Sequence, residues 1–245
     1  MGNEPSRFSI DTVSIAIGRG SYGTVYKARR DSDKFPCAAK VLNQPLKDPS
    51  NPDGTETTIR KIRDECSFLE SLKHNNIVQY LGVTKDLELR SPVLLMELLP
   101  DAESLTKMLE CFREKPLPYF TEVNICCDIA SAVEYLHSKD VIIQNLSSNN
   151  VLVIAKMKAK VADFGMCRLN KATDTTCNTG KADSPYMPPE ALERKPIFTK
   201  KVDCFSQGVI MIQVRTRKEP DPGDTVKMVE TKTGPTQALI PECER

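Results

Sequence analysis

The N-terminal region contains the stretch Gly18-Arg19-Gly20-Ser21-Tyr22-Gly23-Thr24-Val25-Tyr26-Lys27-Ala28. Its first six residues match G-x-G-x-x-G, a pattern that leads directly into a helix in dinucleotide-binding folds. Here the glycines are followed by β-branched and aromatic residues, which favour a strand. We therefore predict that the glycines lie at the bend of a hairpin.

The residues around this hairpin have the composition of strands. Residues 8–17 are rich in β-branched and apolar side chains, and further apolar runs cover residues 37–42 and 93–96. Between these runs, one helix is predicted from apolar residues at helical spacing, which are Ile59, Ile62, Cys66 and Leu69. Residues 47–54, rich in Pro, Asp and Asn, are predicted to form a loop that leads into this helix.

After Pro100 the pattern becomes helical. A long helix is predicted from just after Pro118 to about Lys139. Its apolar stripe is formed by Val123, Cys126, Cys127, Ala130 and Val133. A second apolar helix is predicted over residues 202–214. The sequence thus predicts a β-rich region followed by a helical region, with the boundary near residues 97–102.

Further motifs follow the glycine-rich hairpin in a fixed order. The first are Ala38-Ala39-Lys40 and Glu65, which lies on the first predicted helix, nine residues before the stretch His74-Asn75-Asn76-Ile77-Val78. The later ones are Asp163-Phe164-Gly165, Pro188-Pro189-Glu190 and Asp203, which lies at the start of the last predicted helix. In this order and spacing they make residues 8 to about 214 resemble a eukaryotic protein kinase domain. The sequences of residues 146–150 and 186–192 are most similar to those of the tyrosine-kinase-like group of serine/threonine kinases.

This resemblance implies an α+β, bilobal fold with a β-rich N-lobe and a mainly helical C-lobe. The implied domains are an N-terminal extension over residues 1–7, an N-lobe over residues 8–97 and a C-lobe over residues 98–245. Only 55 residues follow Glu190, whereas the family continues through further helices. We therefore expect a truncated C-lobe, incomplete after about residue 214, with an exposed apolar face on the last helix and poor solubility.

The resemblance also implies a site for ATP and Mg²⁺. The residues implied for ATP binding are Ile17, Gly18, Gly20, Gly23, Val25, Ala38, Lys40, Glu65, Met96, Glu97, Leu99 and Leu152. Among them, Lys40 would hold the α- and β-phosphates with Glu65 as its partner, and Met96 would be the gatekeeper. The implied metal ligands are Asn150 and Asp163.

The catalytic loop departs from the family pattern. Where the family has H-R-D-L-x-x-x-N, this chain has Ile143-Gln144-Asn145-Leu146-Ser147-Ser148-Asn149-Asn150. Asn145 stands at the position of the aspartate that accepts the substrate hydroxyl proton, and an amide cannot take up a proton near neutral pH. Gln144, Ser147 and Asp183 replace, respectively, an arginine, a lysine and a threonine of the same catalytic cluster. The resemblance is therefore to a kinase domain with a degenerate, pseudokinase-like catalytic loop.

The packing between the two lobes is expected to survive these changes. The internal apolar spine of the family would consist here of Leu69, Tyr80, Ile143 and Phe164. Isoleucine at the position of the motif histidine keeps this spine apolar.

Three functions are compatible with these residues. The first is a pseudokinase that binds ATP and magnesium and acts in signalling through a protein partner, such as an active kinase, as an allosteric regulator or scaffold. The second is a weakly active serine/threonine protein kinase that relies on positioning and magnesium instead of a base. The third is a scaffold that does not bind nucleotide, which the retention of Lys40 and Asp163 disfavours.

Composition limits the other classes of function. Lys and Arg number 34 and Asp and Glu 33, so the net charge of +1 argues against a nucleic-acid binder or a general membrane-surface binder. The nine cysteines are scattered without a C-x-x-C pair, which favours reduced thiols and a cytoplasmic protein. Residues Met1–Ser6 match the M-G-x-x-x-[ST] motif, so membrane association is expected only if Gly2 is myristoylated.

Overall fold

The computed structural model of the chain describes residues 8–10, 16–20, 23–31, 33–43, 62, 64, 66–86, 91–164, 185–191 and 198–221. The predicted loop over residues 47–54 lies outside the described residues, as do Ile59 and the N-terminal extension. The predicted incompleteness of the C-lobe also lies outside them, because residues 222–245 are not described. The lobe boundaries themselves stay a prediction.

The N-terminal region forms one antiparallel sheet. Its strands are β1 (Phe8–Ile10), β2 (Gly18–Gly20), β3 (Gly23–Arg30), β4 (Pro36–Leu42), β5 (Tyr80–Asp86) and β6 (Ser91–Glu97). The order across the sheet is β1-β3-β4-β6-β5, and β2 pairs with β3. The predicted glycine hairpin is therefore confirmed, because Gly18 pairs with Val25 and Gly20 with Gly23.

Alternation along the central strands separates two apolar clusters on opposite faces of this sheet. One face carries Ala38, Leu94 and Met96, which belong to the main core of the molecule. The opposite face carries a smaller buried cluster of Ala28, Cys37, Ala39, Val93 and Leu95. Since successive side chains of a strand point to opposite faces, this register also places Lys40 on the main-core face.

A helix between β4 and β5, α1, is described over residues 66–71 and at residues 62 and 64. Ile62, Cys66 and Leu69 are fully buried in the main core, as their spacing predicts. The chain then returns through a loop to β5. The sequence pattern did not predict β5, because Gly82 and the polar residues Thr84, Lys85 and Asp86 interrupt its apolar alternation.

The second region is mainly helical and contains a small sheet. The helices are α2 (Leu105–Cys111), α3 (Tyr119–Ser138) and α4 (Lys200–Thr216). Three short strands form the small sheet in the order β7 (Glu103–Ser104), β8 (Val151–Ile154) and β9 (Lys158–Val161). The α+β class with a β-rich N-lobe and a helical C-lobe is thus confirmed, and α3 and α4 lie where the periodicity predicts them.

The prediction of the buried face of α3 was wrong, because the buried residues lie on an adjacent face of the helix. The residues that face the core are Glu122, Ile125, Ile129, Ala132, Val133 and Leu136. Of the predicted stripe, Val123 and Cys127 are exposed, and only Val133 is buried. Apolar residues occupy two adjacent faces of this helix, so periodicity identifies the helix without identifying the face that is buried.

The other apolar face of α3 lines an open groove against α4. Val123, Cys126 and Cys127 contribute one wall, and Met211 and Val214 contribute the other, around a volume of about 340 Å³. Met211 and its neighbour Ile212 are exposed, as expected for the last helix. Burial raises the pKa of the Cys126 thiol to about 11, so it stays protonated at neutral pH.

The described cysteines are all free thiols, and they are Cys37, Cys66, Cys111, Cys126, Cys127 and Cys204. Among the described helices, none has both the length and the apolar character that a membrane span requires.

The orientation of α3 can be tested by truncating one residue on each face. Ile129 is 1% exposed in the core, so Ile129→Ala should lower the free energy of unfolding by about 2–5 kcal/mol. The matched variant Cys127→Ala, on the groove face, should change it by less than about 0.5 kcal/mol. Urea denaturation followed by circular dichroism measures both. Equal effects at the two positions would contradict this orientation.

Candidate functional site

The glycine hairpin consists of β2 paired with β3. Gly23 lies so close to β4 that a Cβ atom there would be 2.3 Å from the carbonyl oxygen of Val41, so only glycine fits. Gly18 has no such restriction, since its nearest neighbour would be the side chain of Val25 at 3.8 Å. Ile17 leads into the hairpin with 46% of its surface exposed, and its N–H donates to the carbonyl of Val25.

Apolar side chains of the sheet and of β8 belong to one cluster. Ala38 and Met96 are buried opposite each other on β4 and β6, where they form a registered pair. Val25, Leu99 and Leu152 are partly buried and pack against the same cluster. The sheet residues Val25, Ala38 and Met96 thus share one apolar cluster with Leu152 on β8, and we call the region that these residues border the slot.

A buried cation, Lys40, lies two residues after Ala38 on the same face of β4. Lys40 Nζ donates to Asp163 Oδ2 over 2.6 Å, and the lysine side chain is only 3% exposed. Asp163 is 21% exposed and has a left-handed backbone with φ of 57°. The ammonium and the carboxylate, 123 residues apart in sequence, thus meet in the folded chain. Glu65, the partner predicted for Lys40, lies outside the described residues.

The loop that contains Asn145 is bonded to the residue that directly precedes Asp163. Asn150 Nδ2 donates to the backbone carbonyl of Asn145 over 2.8 Å, a bond that does not use the amide oxygen of Asn150. The carbonyl of Asn150 accepts from the N–H of Ala162 over 2.7 Å. These two bonds bring Asn145, Asn150 and Asp163 to one end of the slot.

A buried carboxylate, that of Asp203, also holds this loop. Asp203, fully buried near the start of α4, accepts hydrogen bonds of 2.8 Å from the backbone N–H groups of Ile143 and Gln144. His137 Nε2 lies 2.8 Å from Asp203 Oδ2, the oxygen that also accepts from Ile143 N–H. Gln144 is buried and has a φ of 61°, a strained conformation that these bonds hold in place.

A chain of hydroxyl groups also supports the loop, and the sequence motifs do not reveal it. Ser148 Oγ lies 2.5 Å from Thr106 Oγ1 on α2 and 2.8 Å from Tyr186 Oη. Tyr186 Oη donates to Gln213 Oε1 on α4 over 2.7 Å. Burial raises the pKa of Tyr186, so its hydroxyl keeps the proton that it donates. Thr106, Ser148, Tyr186 and Gln213 are far apart in sequence, so no local sequence pattern predicts these hydrogen bonds.

The four predicted spine residues are brought together in the main core. Leu69, Tyr80, Ile143 and Phe164 are all nearly inaccessible to solvent. The rings of Tyr80 and Phe164 meet edge to face with centroids 5.2 Å apart, a favourable aromatic geometry. Packing from α1 through the sheet to the residue after Asp163 is therefore continuous.

The comparisons with known proteins agree with this geometry. The chain matches the protein kinase domain over residues 12–241. It is 30% identical over 234 residues to calmodulin-binding receptor-like cytoplasmic kinase 2 of Arabidopsis thaliana, which covers 89% of this chain and 54% of that protein. It is 27% identical over 228 residues to the serine/threonine-protein kinase STK11 of Homo sapiens, which covers 92% of this chain and 51% of that protein.

The chain belongs to the protein kinase family. Its fold class and the resemblance to serine/threonine kinases are thereby confirmed. The chain spans about half the length of these relatives.

The remaining predicted kinase-site residues divide into those that the structure describes and those outside it. Glu97 ends β6, and Leu99 lies two residues later, between β6 and β7. Ser147 precedes a 3₁₀ turn over Ser148–Asn150. Gly20 lies at the hairpin. Gly165 and Asp183 lie outside the described residues.

The donor set at the end of the slot fits magnesium. Mg²⁺ prefers oxygen ligands and is held by one or two carboxylates together with substrate phosphates. The carboxylate of Asp163 and the amide oxygen of Asn150 supply ligands of this kind, next to a lysine that can neutralise phosphate charge. Clusters of three or more His, Cys, Asp and Glu side chains are absent from the described part of the chain.

The hydroxyl of Tyr80 provides a test of this core. It is fully buried and finds no hydrogen-bond partner among the described residues, and burial raises the pKa of Tyr80 well above its usual value. An unpaired buried polar group costs about 1–3 kcal/mol. Tyr80→Phe should therefore leave the melting temperature unchanged or raise it by a few degrees, measured by differential scanning calorimetry.

Phe164→Ala is the contrasting variant, because it removes the ring that Tyr80 packs against. This variant should lower the free energy of unfolding by about 3–5 kcal/mol. A clear loss of stability in Tyr80→Phe would show that the hydroxyl is paired in solution.

Proposed function

We propose that this kinase domain binds ATP with magnesium, has lost the base that activates a substrate hydroxyl, and acts in signalling by contacting a protein partner. One observation carries the proposal. The Lys40–Asp163 pair, with its 2.6 Å contact, lies at the same end of the slot as Asn145, whose side chain is an amide.

Nucleotide binding follows from the chemistry of the slot. Val25, Ala38 and Leu152 offer apolar surfaces for adenine, and the backbone from Glu97 to Leu99 offers donors and acceptors for its edge. Lys40 would hold the α- and β-phosphates. Asp163 and Asn150 would hold Mg²⁺, which neutralises phosphate charge when it is bound.

The chemistry at residue 145 limits phosphoryl transfer. A protein kinase orients the substrate hydroxyl with a carboxylate that accepts its proton, and loss of such a base typically costs a factor of about 10² to 10⁴ in rate. Asn145 can orient a hydroxyl by hydrogen bonding, but its amide cannot accept the proton at neutral pH. We therefore place the function in binding and regulation.

The alternative is a weakly active serine/threonine kinase that transfers the γ-phosphate of ATP to protein hydroxyls. The observation that favours it is the intact support of the loop, since Asp203 still anchors the N–H groups of Ile143 and Gln144. Phosphoryl transfer depends mainly on positioning and electrostatics, so a supported loop without a base keeps part of the catalytic effect.

The partner and the location are also proposals. We propose a protein partner, with an active kinase as the first candidate, and a cytoplasmic location with membrane association only if Gly2 is myristoylated. A nucleotide-independent scaffold remains the third function to be tested.

A thermal-shift series tests nucleotide binding. Saturating ATP with magnesium should raise the melting temperature by about 5–10 °C, because a ligand at a hundredfold excess over its Kd stabilises the folded state by about 2.7 kcal/mol. Lys40→Met should abolish most of this rise. Lys200→Met, which breaks an exposed ion pair with Asp140, is the matched control and should keep it. A wild-type protein without any shift at millimolar ATP would support the scaffold.

Incorporation of labelled phosphate separates the pseudokinase from the weak kinase. We expect the wild-type chain to incorporate no more label than Asp163→Asn, which lacks the carboxylate for magnesium. Asn145→Asp should raise incorporation above both, because the loop is already held by Asp203. Label in the wild type that Asp163→Asn abolishes would establish the weak kinase instead.

A further inference from the structure

Lys160 joins three segments of the chain although it lies outside the nucleotide slot. Its Nζ donates to Glu97 Oε1 over 2.7 Å and to the backbone carbonyl of Ile77 over 3.2 Å. Lys160 belongs to β9, Glu97 ends β6, and Ile77 lies in the loop between α1 and β5. The lysine side chain is 15% exposed and that of Glu97 is 27% exposed, so water competes weakly for these contacts.

The carboxylate of Glu97 has a second donor on the same loop. Gln79 N–H donates to Glu97 Oε1 over 2.9 Å, and Glu97 N–H donates to the carbonyl of Gln79 over 2.9 Å. One carboxylate oxygen thus accepts from both the ammonium of Lys160 and the backbone of Gln79. The beginning of the connection between the lobes is thereby fastened to the loop and to β9 at a single point.

The backbone of β9 extends this junction toward Asp163. Val161 N–H donates to the carbonyl of Asn76 over 2.8 Å, and Val78 N–H donates to the carbonyl of Val161 over 2.9 Å. Asn76 Nδ2 also donates to the carbonyl of Ala159 over 3.0 Å. Asp163 follows Val161 by two residues, so its position depends on how β9 is held.

We propose that Lys160 is a positioning residue that couples the adenine end of the slot, at Glu97, to the phosphate and magnesium end, at Asp163. This inference rests on the proposed function as a nucleotide-binding domain. In this proposal Lys160 contacts neither the adenine nor the phosphates of a nucleotide. It acts by holding the two lobes at the angle at which the Lys40–Asp163 pair is formed. Without Lys160, the lobes open more freely and the site is preformed for a smaller fraction of the time.

The environment of this pair gives it an energetic effect that an exposed pair lacks. Removal of the ammonium leaves the Ile77 carbonyl and the carboxylate of Glu97 short of a donor in a partly buried place, which costs more than the loss of a surface ion pair. The Lys200–Asp140 pair has the same length of 2.7 Å, but its side chains are 46% and 89% exposed. It is therefore the natural comparison.

The test is the Kd for ATP by isothermal titration calorimetry on the full chain, with and without magnesium. It is run at 10 °C after circular dichroism has shown that each variant is folded. Lys160→Met should weaken ATP binding in magnesium about tenfold, which lies within the usual range of coupling between sites. The factor by which magnesium tightens ATP binding should also fall, because Asp163 is held less firmly. Lys160→Arg, which keeps the charge and the donors, should bind within threefold of the wild type.

A second variant guards against a failure to fold. Glu97→Gln keeps an acceptor for Gln79 and removes the charge that Lys160 meets, so it should weaken ATP binding about threefold. Lys200→Met should bind ATP like the wild type.

The outcomes separate this inference from the proposed function. If folded Lys160→Met and Glu97→Gln both bind ATP within a factor of 1.5 of the wild type, with the same magnesium effect, Lys160 only stabilises the fold and the inference is wrong. If the wild type itself binds no ATP, the proposed function fails and the inference fails with it.

Discussion

The buried carboxylate of Asp203 is the contact on which the functional half of this structure depends. It accepts from two successive N–H groups of the catalytic loop and from His137, so the path of the loop is fixed at these residues. From this loop Asn150 reaches back to Asn145 and its carbonyl holds Ala162, which directly precedes Asp163. Lys40 then meets Asp163 from the sheet. A buried charge with three donors is well satisfied, and this makes the arrangement rigid.

The support of the loop does not depend on the side chain at position 145. Asp203 holds residues 143 and 144 by their backbone, and Asn150 bonds to the backbone carbonyl of residue 145. None of these bonds uses the side chain at position 145. An amide in place of a carboxylate there would change the proton chemistry and leave these bonds untouched.

Much of the fold could be predicted from local patterns, and the failures have identifiable causes. The β3, β4 and β6 strands and both long helices were predicted because their apolar periodicity is strong. The β5 strand was missed because glycine and charged residues interrupt it, and it is held by pairing with β6. The buried face of α3 was misjudged because the helix has apolar residues on two faces, and only packing against its neighbours selects one. Of the site, Lys40, Asn150 and Asp163 follow from motif order, whereas the Lys160–Glu97 junction and the hydroxyl chain through Ser148 and Tyr186 do not.

By itself, the sequence determined the kinase fold class, the identity of the side chains at the slot and the absence of a carboxylate at residue 145. These depend on residue types at fixed spacings, which a chain carries before it folds. Only the tertiary structure decided which distant residues meet: the support of the loop by Asp203 and His137, the junction of Lys160 with Glu97 and Ile77, and the open groove beside α3. The physical reason is that hydrogen bonds and close ion pairs form only where two groups come within about 3 Å of each other. Sequence spacing does not determine which groups come that close.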